Sequence, residues 1–302
     1  MTATISGRGA VLSVGRIYCD MVFTGLDTMP RLGREIFAGN MQMALGGGAY
    51  IAAAHLAGLG RPVALVARFG TDALSTALSG QLQSRGLNLD FLERHPDAGP
   101  QVTVVMASDT ERAFLSRRAG RAEPATLAAA LAWPQASHLH IAEFASLAEI
   151  PDLVGRAKAA GLTVSLDPSW DDTLIRDKGL LAACAGVDVF LPNFEEAQAI
   201  TRLANPDQAL DALANHFPVV ALKRGGEGAS LAVSGGRYRG FAPKVEVIDT
   251  TGAGDAFNAG FLNAWLDGRA PKACLDAGIT TGSRSVQAAG GATILHQPSI
   301  AS

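Results

Sequence analysis

The residues best suited to chemistry stand together at 249–257, Asp-Thr-Thr-Gly-Ala-Gly-Asp-Ala-Phe. Gly252, Ala253 and Gly254 precede a helical pattern that carries Phe261, Leu262 and Trp265 on its apolar side. Small residues at a helix start let the backbone approach a ligand closely, and their N–H groups lie at the positive end of the helix. That combination makes an anion hole. Asp255 stands at its mouth, where a negative charge weakens phosphate binding unless it has a task of its own. A carboxylate beside a phosphoryl acceptor can take the proton of an attacking hydroxyl. An acidic residue in a first turn also simply complements the helix dipole. Spacing alone leaves both readings open.

Other chemistries fall away on spacing. The chain has no Gly-Lys dipeptide and therefore no Walker A loop, and neither GxSxG nor HExxH occurs. A strict GxGxxG also fails, since Gly46-Gly47-Gly48 leads to Ile51 and Gly252-Ala253-Gly254 to Phe257. A dinucleotide-binding fingerprint is disfavoured on that ground.

Elements able to hold such a loop follow from the pattern of apolar runs. Val11 to Val14, Val63 to Val66, His138 to Ile141, Leu162 to Leu166, Val187 to Leu191 and Val219 to Leu222 are short and largely uninterrupted. Such runs suit strands covered on both faces. Between them lie Ala/Leu-rich stretches of helical length at 49–59, 73–85, 124–131, 147–160 and 194–203, with two more at 254–266 and 271–288. The rhythm predicts an α/β three-layer sandwich with a mostly parallel sheet. Segments 21–45 and 91–118 break it with alternating, turn-rich patterns, read as strands of a small β lid. A Gly290-Gly291 turn should lead into a last strand. With no repeat, long linker or low-complexity tract, residues 1–302 read as one α/β domain.

Composition bounds the partners. Hydrophobic residues make up 48% of the chain and charged residues 18%, with a mean hydropathy of +0.19. This excludes intrinsic disorder. A net charge of −3 gives no basic field for nucleic acid or an anionic membrane. No stretch is long and apolar enough for a membrane span, and the first fifteen residues lack a signal-peptide pattern. Cys19, Cys184 and Cys274 are odd in number and widely spaced, which argues against disulfides or a zinc site and fits a cytoplasmic location.

The sequence resembles the ribokinase (PfkB) carbohydrate-kinase family. The run DTTGAGDAFNAGFL looks like that family's C-terminal signature, and other landmarks follow in order along essentially the whole chain. Asp20 follows the first strand, and Pro30-Arg31-Leu32-Gly33 resembles the lid turn. Gly46-Gly47 with the Ala-rich segment behind it resembles the N-terminal signature. Asn193-Phe194-Glu195-Glu196 resembles an N-x-x-E element, and Lys223 to Gly228 a K-x-G-x-x-G turn.

The resemblance implies roles. Asp255 would be the general base, with Gly252, Ala253 and Gly254 holding the charge on the transferred phosphoryl group. Asn193 and Glu196 would act near Mg²⁺ and the phosphates, Glu196 through water. Lys223, Gly225 and Gly228 would border ATP, and Asp249 would help hold a monovalent cation, K⁺. Asp20, Gly46 and Gly47 would bind substrate hydroxyls, and Glu143, just after a strand, would face substrate. Position 51 departs from the pattern: the family usually has Asn there, and this chain has Ile51, which cannot hydrogen-bond a sugar.

Several residues invite a plainer interpretation. Asp167 reads as a turn cap or as a ligand-side residue at a strand end. Arg112 reads as a solvated hairpin charge, Arg117, Arg118 and Arg121 as surface cations, and His55 as structural. Met21, Met29, Met41, Met43 and Met106 gather in the lid segments, forming either a small core or a homodimer contact. The function expected is an ATP-dependent kinase acting on an alcohol group, the primary hydroxyl of a sugar. A nucleoside kinase and a non-catalytic nucleotide- or sugar-binding regulator are the alternatives.

Overall fold

Branched apolar runs form the centre of the molecule, as their composition requires. The computed structural model describes residues 9–108, 111–288 and 290–293. Its strands in chain order are β1 (Ala10–Val14), β2 (Tyr18–Leu26), β3 (Asn40–Gly46), β4 (Val63–Phe69), β5 (Leu92–Arg94), β6 (Val102–Ser108), β7 (Arg112–Arg117), β8 (Ala136–Ile141), β9 (Thr163–Leu166), β10 (Val189–Phe190), β11 (Val219–Lys223), β12 (Ala229–Val233) and β13 (Gly236–Gly240). The helices are α1 (Gly48–Gly58), α2 (Ala73–Gln83), α3 (Leu127–Leu131), α4 (Phe144–Glu149), α5 (Leu153–Ala159), α6 (Leu180–Ala183), α7 (Phe194–Thr201), α8 (Pro206–Ala214), α9 (Ala253–Leu266) and α10 (Pro271–Ser285).

Two sheets result. The larger runs β13-β12-β11-β10-β9-β8-β1-β4-β5 and is parallel from β11 through β5. Only the β11–β12 and β12–β13 pairs in it are antiparallel. Every residue of β1, β4 and β11 is buried, which is why, apart from Ser13, Arg68 and Lys223, these strands are apolar. Helix α1 buries eight consecutive residues, from Ala49 to Leu56, between the sheet and α9. Its Ala-rich sequence lets the neighbours come close.

The smaller sheet, β3-β2-β6-β7, is the lid expected from 21–45 and 91–118. Asp20 faces Ala44 across the antiparallel β2–β3 pair and Thr103 across the parallel β2–β6 pair. Met41 and Met43 on β3 are exposed.

Two sequence expectations change. The helix at 147–160 is two helices, α4 and α5, parted at Pro151, which has no N–H to donate and whose ring crowds the preceding turn. Residues 92–94, placed with the lid, instead extend the main sheet beside β4. The strand expected after Gly291 lies outside the described residues.

Candidate active site

The parallel strands deliver their carboxyl ends to one side of the sheet, and β1 lies where the chain order reverses, with β8 on one flank and β4 on the other. Ligand crevices form at such a point. Glu143 follows β8, Asp167 follows β9, Asn193 follows β10, and Lys223 ends β11.

Opposite these strand ends starts α9. Its N-cap is Gly252 in the left-handed region at φ 71°. A Cβ there would stand 2.8 Å from the Gly291 Cα and 3.0 Å from Ile51 Cγ2, so only glycine suits both the conformation and the space. The loop into α9 divides two cavities. One, of about 590 Å³, is lined by Lys223, Gly225, Gly228, Val245 and Phe257 and reaches Ala253 and Gly254. The other, of about 630 Å³, is lined by Asp20, Gly47, Ile51, Glu143 and Trp170 and reaches Gly252 and Asp255. The two cavities therefore meet across residues 252–255.

A buried charge cluster underlies this junction. Lys223 Nζ donates to Asp167 Oδ2 at 2.6 Å and to Asn258 Oδ1 at 3.3 Å, and Asn258 Nδ2 donates to the same Asp167 oxygen at 2.5 Å. The ammonium lies 3.4 Å from where a Cβ on Gly254 would be. Burial works to discharge Lys223, but the charges of Asp167, Glu196 and Asp255 outweigh it and hold its pKa above the ordinary value. Desolvation, reinforced by the charge of Asp167, pushes Asp255 up to about 7 against the pull of Lys223. Desolvation likewise pushes Asp20 up to about 7 and raises Glu196. A carboxyl that changes charge near neutrality can accept and return a proton there.

Sequence-predicted residues divide into those that line the cavities and those that do not. Asp20, Gly47, Ile51 and Glu143 come together with Asp255 around one cavity, and Lys223, Gly225 and Gly228 border the other. Gly46 supports Asp20, since a Cβ on it would stand inside the Asp20 carboxylate, 1.8 Å from Oδ2. Glu143 Oε1 accepts from the Arg16 backbone N–H and from Ser146 Oγ, which fixes its direction. Asn193 and Glu196 are not among the residues lining the Lys223 cavity. They form a capping box at the start of α7, each side chain bonded to the other's backbone N–H, beside Lys223. Asp249 ties two loops, accepting from Thr251 N at 2.9 Å and from Gly290 N at 3.0 Å.

Other residues carry more than their sequence context indicated. Asp167 is both a turn cap, accepting from Ser169 N, and the partner of Lys223. Arg112 is no solvated hairpin charge: from the lid it donates to Thr250 Oγ1 at 2.5 Å and lies 3.6 Å from Asp249. Arg118 is a cavity residue paired with Asp171 at 2.8 Å. Gly48 sits against the acidic centre, where a Cβ would come within 2.9 Å of Asp255 Oδ1. Asn258, one helical turn beyond Asp255, carried a readable signal in its spacing on the apolar face of α9. His55 is structural as read, with Nε2 3.0 Å from the Gly291 carbonyl and burial keeping the ring neutral.

Ile51 has two surroundings at once. It is 4% exposed, lines the Asp20 cavity and packs under the seam between Gly252 and Gly291. Ile51→Asn is expected to lower the melting temperature and to change relative kcat/KM among hydroxylated acceptors by about two- to tenfold, the worth of one hydrogen bond. A fall in melting temperature with the acceptor ranking unchanged would leave Ile51 with a packing role alone.

Comparison with known proteins accords with this geometry. The profile of the pfkB family carbohydrate kinases matches residues 11–298. The structure of Arabidopsis thaliana ribokinase complexed with ribose and ATP superposes with a TM-score of 0.81 at 25% identity, covering 95% of each chain. The 2-dehydro-3-deoxygluconokinase of Bacillus subtilis is 29% identical over 79% of each chain. A nucleoside kinase of Methanothermobacter thermautotrophicus is 25% identical over 87% of this chain and 85% of its own.

Proposed function

The chain belongs to the pfkB family of carbohydrate kinases and is a sugar or nucleoside kinase, and from that premise we propose that it phosphorylates the primary hydroxyl of a sugar, with Asp255 as base. The observation that carries this is the meeting of two cavities at residues 252–255. ATP, as the family implies, would lie along Lys223, Gly225 and Gly228, with the acceptor between Asp20, Glu143 and Asp255. The acceptor oxygen attacks the γ-phosphorus in line, its proton passes to an Asp255 oxygen, and ADP leaves with the electrons of the broken P–O bond. The N–H groups of 252–254 and the Lys223 ammonium face the charge that develops on the phosphoryl oxygens.

The residues present suit a hydrated Mg²⁺. Three carboxylates, Asp167, Glu196 and Asp255, face the single Lys223 ammonium, and hard oxygen donors match that ion. Among the described residues no three His, Cys, Asp or Glu side chains gather closely enough to hold a metal directly, so Glu196 would hold Mg²⁺ through water. Bound with the triphosphate, it would supply charge neutralisation. At Asp249, burial works to raise the carboxyl, but the N–H groups of Thr251 and Gly290 and the charge of Arg112 hold it below its ordinary value. A monovalent cation there would share the carboxylate with Arg112.

ADP release measured across neutral sugars and nucleosides tests the proposal, and binding without turnover on any acceptor would favour a non-catalytic regulator. EDTA should remove activity by more than about a hundredfold, since phosphoryl transfer leans on the metal. Exchange of Na⁺ for K⁺ should raise kcat by at most about threefold, because Arg112 already compensates Asp249. Full activity in EDTA would contradict the phosphoryl-transfer reading, whereas indifference to K⁺ would remove only the cation role of Asp249.

A further inference from the structure

We propose that the Arg118–Asp171 ion pair makes the acceptor cavity selective for uncharged acceptors, with Asp171 the residue that discriminates against sugar acids and sugar phosphates. The inference rests on the reading of this cavity as the acceptor site. Its lining holds four carboxylate side chains, Asp20, Glu143, Asp171 and Asp255, and one cation, Arg118. An anionic acceptor whose hydroxyl sits at Asp255 needs a free cation on the opposite rim. Arg118 is the one cation among the lining residues, and its charge is already paired: Nη1 donates to Asp171 Oδ2 at 2.8 Å.

Asp171 is not free to swing away and release it. Its Oδ1 accepts from the N–H groups of Thr173 and Leu174, both at 3.1 Å, so the turn after β9 aims Oδ2 at the guanidinium. Of the other cations near the cavity, Arg176 lies over the Trp170 ring at 5.7 Å, and three are bonded to polar partners. Arg16 bonds Glu149 and Gln101, Lys223 bonds Asp167, and Arg112 bonds Thr250. Glu143 is held in place by Arg16 N and Ser146 Oγ, so its charge stays in the cavity. Beside neutral hydroxyls such as those of Thr103, Ser116 and Ser169, the lining carries two open aromatic faces, Phe114 61% and Trp170 45% exposed. Such faces suit the C–H face of a sugar ring or a nucleobase and offer nothing to an anion.

Asp171→Asn isolates this feature. The amide oxygen still accepts from Thr173 and Leu174, while an NH₂ group replaces the oxygen that Arg118 needs. The readout is the ratio of kcat/KM for acids (gluconate, 2-dehydro-3-deoxygluconate) to kcat/KM for neutral acceptors (ribose, fructose, adenosine), which is independent of the amount of folded enzyme. The wild type should favour neutral acceptors by about a hundredfold or more, and Asp171→Asn should raise the acid-to-neutral ratio by about tenfold. Adding Arg118→Gln should return the ratio to the wild-type value.

A ratio unmoved in Asp171→Asn, or a gain that survives Arg118→Gln, overturns the inference. Where Asp171→Asn yields no folded protein, Arg118→Gln alone decides. The ratio should then stay within about threefold of wild type, and a tenfold fall would show Arg118 already serving an acid. A wild type that prefers acids overturns the inference and leaves the kinase reading standing. One that turns over neither class overturns both.

Discussion

Asp255→Asn is expected to lower kcat by about 10²–10⁴-fold, the usual worth of a positioned general base, while ADP binding persists. The amide keeps the shape of the side chain against Gly48 but cannot take the acceptor's proton. Wild-type kcat should rise with pH through about 7, the value to which burial and the charge of Asp167 push the carboxyl, and the variant's residual rate should lose that rise. Stability moves the other way. The unfolded carboxyl ionises near its ordinary value of 3.8 and the folded one near 7, so between them the native state binds the extra proton and stability falls as pH rises. Above pH 7 the wild type carries this cost and the variant does not. Asp255→Asn should therefore melt higher than wild type at pH 8 and nearly level with it at pH 4. Differential scanning at the two pH values and a steady-state pH profile check both halves. A variant keeping more than about a third of wild-type kcat would remove Asp255 from the base role.

Gly252→Val should damage binding, turnover and folding together. The position requires φ near 71°, and a β-branched residue there costs on the order of 1–3 kcal/mol in backbone strain alone. Its Cβ would meet the Gly291 Cα at 2.8 Å and the Gly291 carbonyl oxygen at 2.9 Å, so the two loops must part. The N–H groups of 252–254 would then no longer converge, and loss of such oxyanion donors costs about 10²–10³-fold in kcat. Calorimetry of ADP binding and kcat on one preparation test this. Unchanged affinity with unchanged kcat would place the anion site elsewhere.

The legible parts of this molecule were those governed by local rules. The buried strands announced themselves because a strand covered on both faces is apolar over most of its length, as Val63–Ala67 is. The 252–255 turn was legible because three small residues at the very start of a helix have few other uses. What stayed hidden depended on distant pairing. Asp167 looks like any turn aspartate until Lys223, 56 residues on, arrives beside it. Arg112 and Arg118 look like surface cations until the lid is folded over Thr250 and Asp171. The capping box was hidden in the same way: Asn193 and Glu196 resemble an element near phosphate, and in the fold each side chain also bonds the other's backbone N–H.

The two cavities draw on different stretches of the chain. The lining of the Asp20 cavity comes from residues 18–171, apart from Thr251, Gly252 and Asp255, whereas that of the Lys223 cavity comes wholly from 223–286. Heritable change can therefore act on the two jobs separately. Substitutions in the first 171 residues, other than at Gly48, Ile51, Arg112 and Asp167, which touch the 250–255 segment or Lys223, would reshape the first pocket and leave the 252–255 turn as it was. Under the proposed function, a lineage built this way can explore new acceptors while its intermediates keep the same donor. Divergence should then accumulate unevenly, fast along the lid and the strand-end turns and slowly from Lys223 onward.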